Sequence, residues 1–505
     1  MKALLVNPRR GLGGDEAPSS PLRKRKNLRY PAGLYSIAAM LAANGFSAPV
    51  LDLEIDTLGL GAALERERPD VVGITAATAN RFEAMDAARL ARRVTPDAVI
   101  VVGGPHFTFT AEDTLRHIPE IDIVVRGEGE ITLLELMRAL SSMGSLRELS
   151  ALREVAGLSY RVAGQIVHNP DRLPLRDLDE LPPIRWETVP WTRYDYRFLN
   201  ISCASLLTSR GCPINCTFCS TTKMWGKHVR WRSPIRVVDE IEHLLTHYGL
   251  QAVFFNDDTF TLNRRHLLGI CDEIERRGLK FSWICQARVD TVNRDILQTM
   301  KRAGCIYIFF GVETGSQKMM ESIHKKITAD EVRQTVRDCQ AVGILSHALF
   351  MYSLPEETEE DRRLTFEFMD ELITLGLNAF SASPTIIYPG TEIETMARER
   401  GVLPPGFSWS EPYEHREYAA IQERLANTPL YVESLTVDEM LQIKDRVHAM
   451  QRPLKLGRRM QERHPYRRLP NYLLRLMRVR SLDDLREQGA RGRELAGALV
   501  KHILE

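Results

Sequence analysis

Short apolar runs alternate with amphipathic stretches over the first 140 residues. The amphipathic stretches repeat their apolar positions with a helical period, whereas the apolar runs are short and rich in Val, Ile and Leu. The pattern predicts helices at Leu34–Asn44, Arg81–Val94, Ala111–His117 and Ile131–Leu140, and strands at Ala3–Val6, Ser47–Leu53, Val71–Ile74, Ala98–Val102 and Ile123–Val125. Continuously apolar strands that alternate with helices are typical of a parallel sheet covered on both faces. We therefore expect an α/β fold with a doubly wound parallel sheet.

A second series of strand–helix units follows near residue 205. Predicted helices separate six strand candidates, at Ser205–Thr208, Ala252–Asn256, Ser282–Gln286, Tyr307–Gly311, Ser346–Tyr352 and Ala379–Pro384. Six units in about 190 residues are too few for an eight-stranded barrel but fit a partial (β/α)6 barrel of the TIM type. From about residue 405 the pattern becomes helical and irregular.

These patterns divide the chain into four parts. We predict an open-sheet domain at 1–145, a linker at 146–200, a partial barrel at 201–404 and a helical carboxyl-terminal region at 405–505. The linker is polar and contains several prolines, and Leu158–Val162 within it is a candidate for one strand of a small hairpin. A chain of 505 residues is long enough for several separate cores.

Composition is that of a globular protein, with 44% hydrophobic and 26% charged residues. No apolar run is as long as a transmembrane helix requires, and the apolar stretch at the amino terminus is too short for a signal peptide. We therefore expect a cytoplasmic protein. The net charge of +1 gives no indication of a nucleic-acid partner.

Positive charge is concentrated near the carboxyl terminus. Residues 442–482 contain twelve Lys or Arg against two acidic residues, Asp445 and Glu462. A solvated helix pair packed on the barrel explains such a segment. A peripheral contact with anionic lipid, or with an anionic substrate, is the alternative.

The eight cysteines lie between residues 203 and 339, and three of them share one short segment. Cys212, Cys216 and Cys219 follow the first predicted barrel strand in the spacing CxxxCxxC. Three thiolates on one loop can bind a [4Fe–4S] cluster while leaving one iron without a protein ligand. Structural zinc is the alternative, but it requires four ligands, and the next histidine, His228, lies nine residues beyond Cys219.

The sequence SRGCPINCTFCS, with Phe218 before the last cysteine, resembles the radical S-adenosylmethionine (SAM) superfamily. The resemblance implies that the cluster reduces SAM to methionine and a 5′-deoxyadenosyl radical, which removes hydrogen from an unactivated carbon. It also implies a small-molecule substrate and an external electron donor such as flavodoxin or ferredoxin. Residues at the barrel-strand ends resemble the SAM-contacting positions of the family, namely Asp257, Asp258, Gln286, Arg288, Glu313 and Ser316, with Glu313 able either to accept hydrogen bonds from ribose hydroxyls or to pair with Arg288.

Loops at the strand ends of the first sheet form a second candidate site, because open parallel sheets bind ligands beyond their carboxyl ends. The candidates are Asn7, Pro8, Thr75, Gly103, Gly104, His106, Gly127, Glu128 and Gly129. An open sheet bearing VVGGPHFTF and VVRGEGE ahead of the cysteine motif resembles the cobalamin-binding radical SAM proteins. That resemblance implies cobalamin as a third cofactor, although a domain that has lost the cofactor is the alternative. The motif DxHxxG, whose histidine ligates cobalt in other cobalamin domains, is absent, so His106 is expected to touch the cofactor edge or solvent.

The resemblance implies an enzyme, most simply a C-methyltransferase that uses methylcobalamin. The same architecture serves anaerobic porphyrin cyclases and ring-rearranging enzymes, which do not transfer a methyl group. A tRNA methylthiotransferase would need three further cysteines upstream, and residues 1–202 contain none. A non-catalytic cobalamin or redox sensor is the alternative from another class.

Overall fold

The computed structural model describes residues 1–9, 28–142, 149–413, 418–421 and 427–463. Its first unit is a seven-stranded sheet whose first five strands are parallel. These are β1 Ala3–Asn7, β2 Val50–Asp52, β3 Val71–Thr75, β4 Val99–Gly103 and β5 Ile123–Val125, followed by the antiparallel strands β6 Leu158–Val162 and β7 Gln165–His168. The order in the sheet is β2-β1-β3-β4-β5-β6-β7.

Helices cover both faces of this sheet, in agreement with the predicted doubly wound class. They are α1 Ala32–Ala43, α2 Leu60–Glu67, α3 Arg81–Val94, α4 Pro105–Phe109, α5 Ala111–His117 and α6 Gly129–Ser142. The central strands are continuously apolar because both of their faces are buried, in two separate hydrophobic clusters. The hairpin β6–β7 lies within the segment predicted as a linker and extends the sheet beyond β5.

The second unit is a curled sheet of six parallel strands with one short antiparallel strand at its edge, which confirms the predicted partial barrel. The order is β16-β15-β14-β13-β12-β9-β8, and β10 and β11 form a separate small ribbon. The strands are β8 Arg197–Phe198, β9 Ile201–Leu206, β10 Ser209–Arg210, β11 Arg230–Trp231, β12 Ala252–Phe255, β13 Ser282–Ala287, β14 Cys305–Glu313, β15 Leu345–Tyr352 and β16 Ala379–Pro384.

Helices connect the parallel strands of the second unit and pack on their outer face. They are α7 Thr221–Trp225, α8 Pro234–Tyr248, α9 Arg264–Arg276, α10 Arg294–Arg302, α11 Gln317–Ser322, α12 Ala329–Val342, α13 Glu359–Leu375 and α14 Glu392–Glu399, followed by α15 Tyr418–Ile421 and α16 Val437–Arg463. Capping boxes at Thr328 and Thr358 begin α12 and α13, where each threonine accepts a hydrogen bond from a backbone N–H of the first turn.

The first barrel strand begins four residues earlier than predicted, because the chain enters it from a tight hairpin. Leu199 and Asn200 both have positive φ and turn the chain from β8 into β9. The Phe198 ring then packs against Tyr307 and Phe309 and contributes to an apolar cluster at the amino-terminal end of the barrel. Periodicity alone did not reveal β8, since it contains two residues.

The part of the carboxyl-terminal region that is described is helical, as predicted. Residues 464–505, which include residues 464–482 of the basic segment, lie outside the described residues. Within the described ranges, no helix is long and apolar enough to cross a membrane.

Buried ion pairs join the first sheet to the barrel. Arg210 Nη2 lies 2.5 Å from Glu130 Oε1, and Arg230 Nη1 lies 2.5 Å from Glu128 Oε1. All four side chains are at most 11% exposed, and Arg210 is also 3.4 Å from Glu128. Burial alone would raise the pKa of Glu130, but the charge of Arg210 and its hydrogen bonds hold that pKa below the usual value. We refer to these four residues as the interdomain clamp.

The carboxyl-terminal region makes a second contact with the first sheet. Arg81 is buried and donates to the carbonyl oxygens of Trp409 and Asn427, at 3.1 and 2.6 Å. The Ser410 hydroxyl donates to the Asp113 carboxylate at 2.8 Å. The two units are therefore connected both through the barrel and through the segment that follows it.

The clamp predicts a large loss of stability on removal of one partner. Arg210→Met would leave Glu130 buried without its counter-charge, and breaking a buried pair in this way costs about 3–5 kcal/mol. The double variant Arg210→Met/Glu130→Leu should recover most of that loss, because no uncompensated charge remains at position 130. Urea unfolding of the three proteins measures both effects. A single variant within about 1 kcal/mol of the wild type would contradict this account.

Candidate functional site

The loop that carries the three cysteines lies between β10 and α7, at the carboxyl end of the first parallel barrel strand. It begins at Gly211, which has a φ of +108° and would place a Cβ atom 2.9 Å from the carbonyl oxygen of His228. A side chain there would displace the β11 side of the ribbon. Only glycine therefore allows the chain to turn into the loop at this point.

Backbone hydrogen bonds connect the middle of the cysteine loop to two other loops at the barrel mouth. The Thr217 N–H donates to the carbonyl of Ile323 at 3.2 Å, and the Thr217 carbonyl accepts from Ile393 at 3.1 Å. Beside it, the Phe218 ring packs against the apolar clusters that contain Leu354 and Ile387. The loop is thus held from both sides by residues that follow β14, β15 and β16.

The three cysteines of the loop are half-buried free thiols. Burial raises the pKa of Cys212 and raises that of Cys216 to about 11, while the nearby Lys325 opposes the shift at Cys216. Each thiolate of a cubane binds its own iron atom, so a cluster needs three thiols around a space wider than one ion. Three thiols carried on one short loop fit such a cluster. Within the described ranges, no three or more His, Cys, Asp or Glu side chains converge closely enough to hold a single metal ion.

A cavity of about 300 Å³ lies between the cysteine loop and the strand ends of the first sheet. This is the position expected if the carboxyl ends of the two sheets face each other. The lining residues come from the ends of β3 and β4, from the cysteine loop and from the segment after β16, namely Ala77, Thr78, Pro105, Phe218, Cys219, Ser220, Tyr388 and Pro389. A larger cavity of about 570 Å³, between α1, α8 and residues 178–187, contains none of the three cysteines.

The strand end at Gly103 and Gly104 is closely packed on its neighbour. Gly104 has a φ of +93°, and a Cβ atom there would lie 2.6 Å from Thr75 Oγ1 and 2.9 Å from the carbonyl of Ala76. Only glycine therefore allows the chain to pass this close to Thr75 and Ala76, and this packing positions the next residue, Pro105, which lines the cavity opposite Ala77 and Thr78.

The other predicted cofactor contacts in the first sheet have structural partners. The Asn7 side chain donates to Asp52 Oδ1 at 2.8 Å, and the carbonyl of Pro8 accepts from Asn80 at 3.4 Å. Gly127 and Gly129 flank Glu128, and the carboxylate of Glu128 pairs with Arg210 and Arg230. The loop 127–130 therefore holds the two units together, a role that the predicted cofactor contact did not include.

His106 is completely buried, so the expectation of contact with solvent is wrong. Its Nδ1 atom lies 3.3 Å from Thr78 Oγ1, and its ring contacts Phe107 and Trp409 edge-on. Its Nε2 atom has no hydrogen-bond partner among the described residues. Burial, assisted by the charge of Arg81, lowers the pKa of His106 well below its usual value, so the ring is neutral at pH 7.

Two adjacent carboxylates at the end of β12 have different surroundings. Asp257 is buried and its Oδ1 atom accepts from the Thr208 N–H and from the hydroxyls of Thr208 and Ser209, at 2.5–3.0 Å. Asp258 is exposed at the barrel mouth and accepts from the Thr221 hydroxyl at 3.1 Å. Desolvation raises the pKa of each to about 6. Asp257 fixes the turn after β9, and Asp258 remains accessible to a ligand.

The predicted pairing of Glu313 with Arg288 is wrong. Glu313 is buried and pairs with Lys325 at 2.7 Å, while Arg288 pairs with Asp290 and donates to the carbonyl of Lys325 at 2.9 Å. The chain between α11 and α12 places Lys325 between the two side chains, and this arrangement could not be read from strand positions. Glu313 itself has a φ of +72°, an uncommon conformation for a residue with a side chain.

Two further predicted SAM contacts also lie at the strand ends. The Ser316 side chain caps α11 and donates to Asp361 Oδ1 at 2.6 Å. Gln286 is partly exposed on β13, and its carbonyl accepts from the Phe260 N–H at 2.9 Å. Of these two, Gln286 has its side chain available at the barrel interior.

Sequence reasoning missed Arg210, Arg230 and Lys325, whose charges organise the loops around the cavity. Arg210 stands two residues before Cys212, and residues 131–137 after the acidic loop Gly127-Glu128-Gly129-Glu130 contain no Lys or Arg. An arginine beside the cysteine loop and two glutamates in a distant strand-end loop indicate that a long-range ion pair could form. That signal does not reveal which residues pair.

Comparison with known proteins places both units in described families. Residues 21–137 match the model of the B12 binding domain, and residues 206–369 match that of the Radical SAM superfamily. An uncharacterized methyltransferase of Pyrococcus horikoshii is 35% identical over 376 residues, which cover 74% of this chain and 79% of that protein. The chain therefore belongs to the cobalamin-binding radical SAM family, whose cofactors are a [4Fe–4S] cluster, SAM and cobalamin.

Further similar proteins include a cyclase and two proteins of known structure. An anaerobic magnesium-protoporphyrin IX monomethyl ester cyclase of Rubrivivax gelatinosus is 31% identical over 376 residues, covering 73% of this chain and 65% of the cyclase. The fold is shared with the radical SAM methyltransferase TsrM of Kitasatospora setae, at a TM-score of 0.63 and 22% identity over 80% of this chain and 76% of TsrM. It is also shared with the cobalamin-dependent radical enzyme OxsB, at a TM-score of 0.69 and 17% identity, over 90% of this chain and 67% of OxsB.

The close packing at Gly104 predicts that a side chain there pushes against Thr75 and Ala76, next to Ala77 and Thr78 of the cavity lining. Gly104→Ala should lower the cobalamin content of the reconstituted protein and destabilise it by about 1–3 kcal/mol, because the residue has a positive φ and its Cβ atom would lie only 2.6 Å from Thr75 Oγ1. Cobalt content and thermal unfolding measure the two effects. Gly61→Ala is the control, since a Cβ atom there meets nothing within 4 Å. Equal cobalt content in the two variants would contradict the assignment of this wall to the cofactor.

Proposed function

We propose that this chain transfers a methyl group to an unactivated carbon of a small-molecule substrate. The observation that carries the proposal is the cavity that places Cys219 and Phe218 of the cluster loop opposite Ala77, Thr78 and Pro105 of the cobalamin-type sheet. Methyl transfer to carbon needs two reactive centres at one substrate atom, and both would have to open into the same space.

The cluster and cobalamin would be held by different units of the chain. Cys212, Cys216 and Cys219 would provide the three thiolates that hold the cluster. The glycine-lined end of β4, with Thr75 and the buried His106 beneath it, would form the platform for cobalamin. When bound, the cluster with SAM supplies a radical that activates a C–H bond, and cobalamin supplies the methyl group.

The barrel mouth would hold SAM beside the cluster. Asp258 can accept hydrogen bonds from an ammonium group, since its carboxylate is exposed there. The Gln286 side chain, which faces the barrel interior, can accept hydrogen bonds from hydroxyl groups of a ligand. Glu313 and Ser316 lie at the end of β14, although their side chains are engaged with Lys325 and Asp361. We therefore assign direct contact first to Asp258 and Gln286, and structural support to the other two.

The chain's own contribution is to hold these groups in a fixed relation and to exclude water from them. The interdomain clamp connects the loop 127–130 of the first sheet to the ribbon that leads into the cysteine loop. The apolar lining by Phe218, Tyr388 and Pro389 reduces access of water to a reactive carbon centre. Electrons would come from an external donor of the flavodoxin or ferredoxin type.

Oxidative cyclisation is a second candidate, because a porphyrin-type cyclase is 31% identical to the chain. It would use the same cluster and the same cavity, and the substrate would lose hydrogen without gaining a methyl group. A non-catalytic sensor is the alternative outside enzymology. The two experiments below distinguish these three functions.

The cysteine assignment predicts a specific loss in one variant. Cys216→Ala should fold but should bind no [4Fe–4S] cluster and should release no 5′-deoxyadenosine from SAM under reducing conditions, because one iron loses its thiolate. Iron and sulfide content after anaerobic reconstitution measure the loss. Cys339→Ala is the matched control, because Cys339 is buried in α12, away from the loop. Full iron loading of the Cys216 variant would overturn the assignment.

Methyl transfer predicts the fate of a label. The reduced enzyme, loaded with all three cofactors, is given SAM labelled in its methyl group and a small-molecule extract of the cells that produce it. We expect label in a new product and 5′-deoxyadenosine formed in parallel, both detected by mass spectrometry. Formation of 5′-deoxyadenosine with an unlabelled product that has lost two hydrogens would favour cyclisation. A complete lack of 5′-deoxyadenosine would favour a sensor.

A further inference from the structure

The barrel interior can be identified from the alternation of side chains along β12. Val253 and Phe255 belong to the large cluster beneath the outer helices, whereas Ala252 and Phe254 belong to a separate cluster with Ile284 and Tyr307 of neighbouring strands. Successive residues of a strand point to opposite faces. Phe254 therefore faces the interior, and Asn256, two residues further on, lies on the same face at the barrel mouth.

A segment of the first unit passes along the open edge of the barrel and directs one arginine inward. The Tyr30 hydroxyl donates to the carbonyl of Ser205 on β9, and the Tyr30 ring packs outside the barrel against Trp186 and Trp191. The preceding residue, Arg29, contacts the interior instead. Its guanidinium carbon lies 4.8 Å from the centre of the Phe254 ring.

The guanidinium of Arg29 is held in place by uncharged groups. It lies over the Tyr196 ring at 4.7 Å, and its Nη1 atom donates to Asn256 Oδ1 at 3.2 Å. Within the described ranges, no carboxylate lies at ion-pair distance from it, and Arg29 is exposed. Aromatic rings fix the cation without neutralising it, and N–H donors remain for a ligand.

The rest of the interior near Arg29 is aromatic or neutral. Tyr307 and Phe309 stack on each other and on His347. The Tyr307 hydroxyl lies 2.8 Å from His347 Nδ1, and His347 Nε2 lies 2.9 Å from the exposed hydroxyl of Ser381. Phe254 and Tyr307 are only 4% and 2% exposed, so a ligand beside Arg29 would meet the partly exposed rings of Phe309 and His347, the Ser381 hydroxyl and one fixed positive charge.

We infer that the barrel binds a substrate with an anionic oxygen acid, a carboxylate or a phosphate, which pairs with Arg29, and with an apolar body that packs on the partly exposed ring of Phe309. A guanidinium is suited to both acids because it can donate two parallel hydrogen bonds to either. The inference deepens the proposed function, since it names the substrate class of the same site. Asn256 directly precedes Asp257 and Asp258, so the acid group would lie just below the mouth that faces the cluster.

The inference is tested by binding, with the full-length protein loaded with cluster, cobalamin and SAM. The probes are hexyl phosphate, hexanoate and the neutral hexanol, measured by equilibrium dialysis under anaerobic conditions. Wild type should bind at least one of the two anions at least about tenfold more tightly than hexanol, and Arg29→Gln should lose about tenfold or more of that affinity. Arg29→Lys should retain part of it. The matched control is Arg66→Gln, because Arg66 is an exposed arginine of the first unit that is paired with Glu67.

The two anions distinguish a phosphate substrate from a carboxylate substrate, and either preference supports the inference. Equal binding of anions by wild type and Arg29→Gln, or binding of hexanol as tight as that of the anions, would overturn it. Release of 5′-deoxyadenosine from SAM is measured in the same samples and should be equal in wild type and in the control Arg66→Gln. If wild type releases none, the proposed function fails, while the binding comparison still decides the role of Arg29.

Discussion

The interdomain clamp is the interaction on which the candidate site depends. Arg210 and Arg230 belong to the ribbon that leads into and out of the cysteine loop, and Glu128 and Glu130 belong to a strand-end loop of the first sheet. Buried charges of this kind are costly when unpaired, so they define one relative arrangement of the two units. In that arrangement the carboxyl ends of both sheets face one cavity. Neither unit alone would enclose the cavity between Cys219 and the loop residues Ala77, Thr78 and Pro105.

Much of the fold could be predicted from the sequence because its strands are buried on both faces. Continuous apolar runs such as Val71–Thr75 and Ala252–Phe255 have no other simple explanation, and the helices between them have regular apolar faces. The three cysteines were recognisable because their spacing is local. The strand β8 was missed because a strand of two residues is too short to show an alternating pattern. The extension of the first sheet by β6 and β7 was missed because it depends on strand pairing, which a local sequence pattern does not encode.

The parts of the site that could not be predicted are long-range pairs. Glu313 and Arg288 stand at the ends of neighbouring strands, yet Lys325, from a connecting segment, pairs with Glu313. Glu128 had the position of a cofactor contact, but two arginines about 80 and 100 positions further along the chain pair with it. Arg29 belongs to no recognisable sequence motif. It reaches the barrel only because the segment that contains Tyr30 packs along β9. Such contacts are decided by tertiary packing.

The central claim is that cluster and cobalamin share the cavity between the two sheets, and electron paramagnetic resonance tests it most directly. The reduced cluster and cob(II)alamin are both paramagnetic, and two spins that share one cavity interact magnetically. The account predicts that protein holding both centres shows a spectrum split or broadened relative to the sum of spectra from protein holding one centre at a time. A spectrum equal to that sum would contradict it.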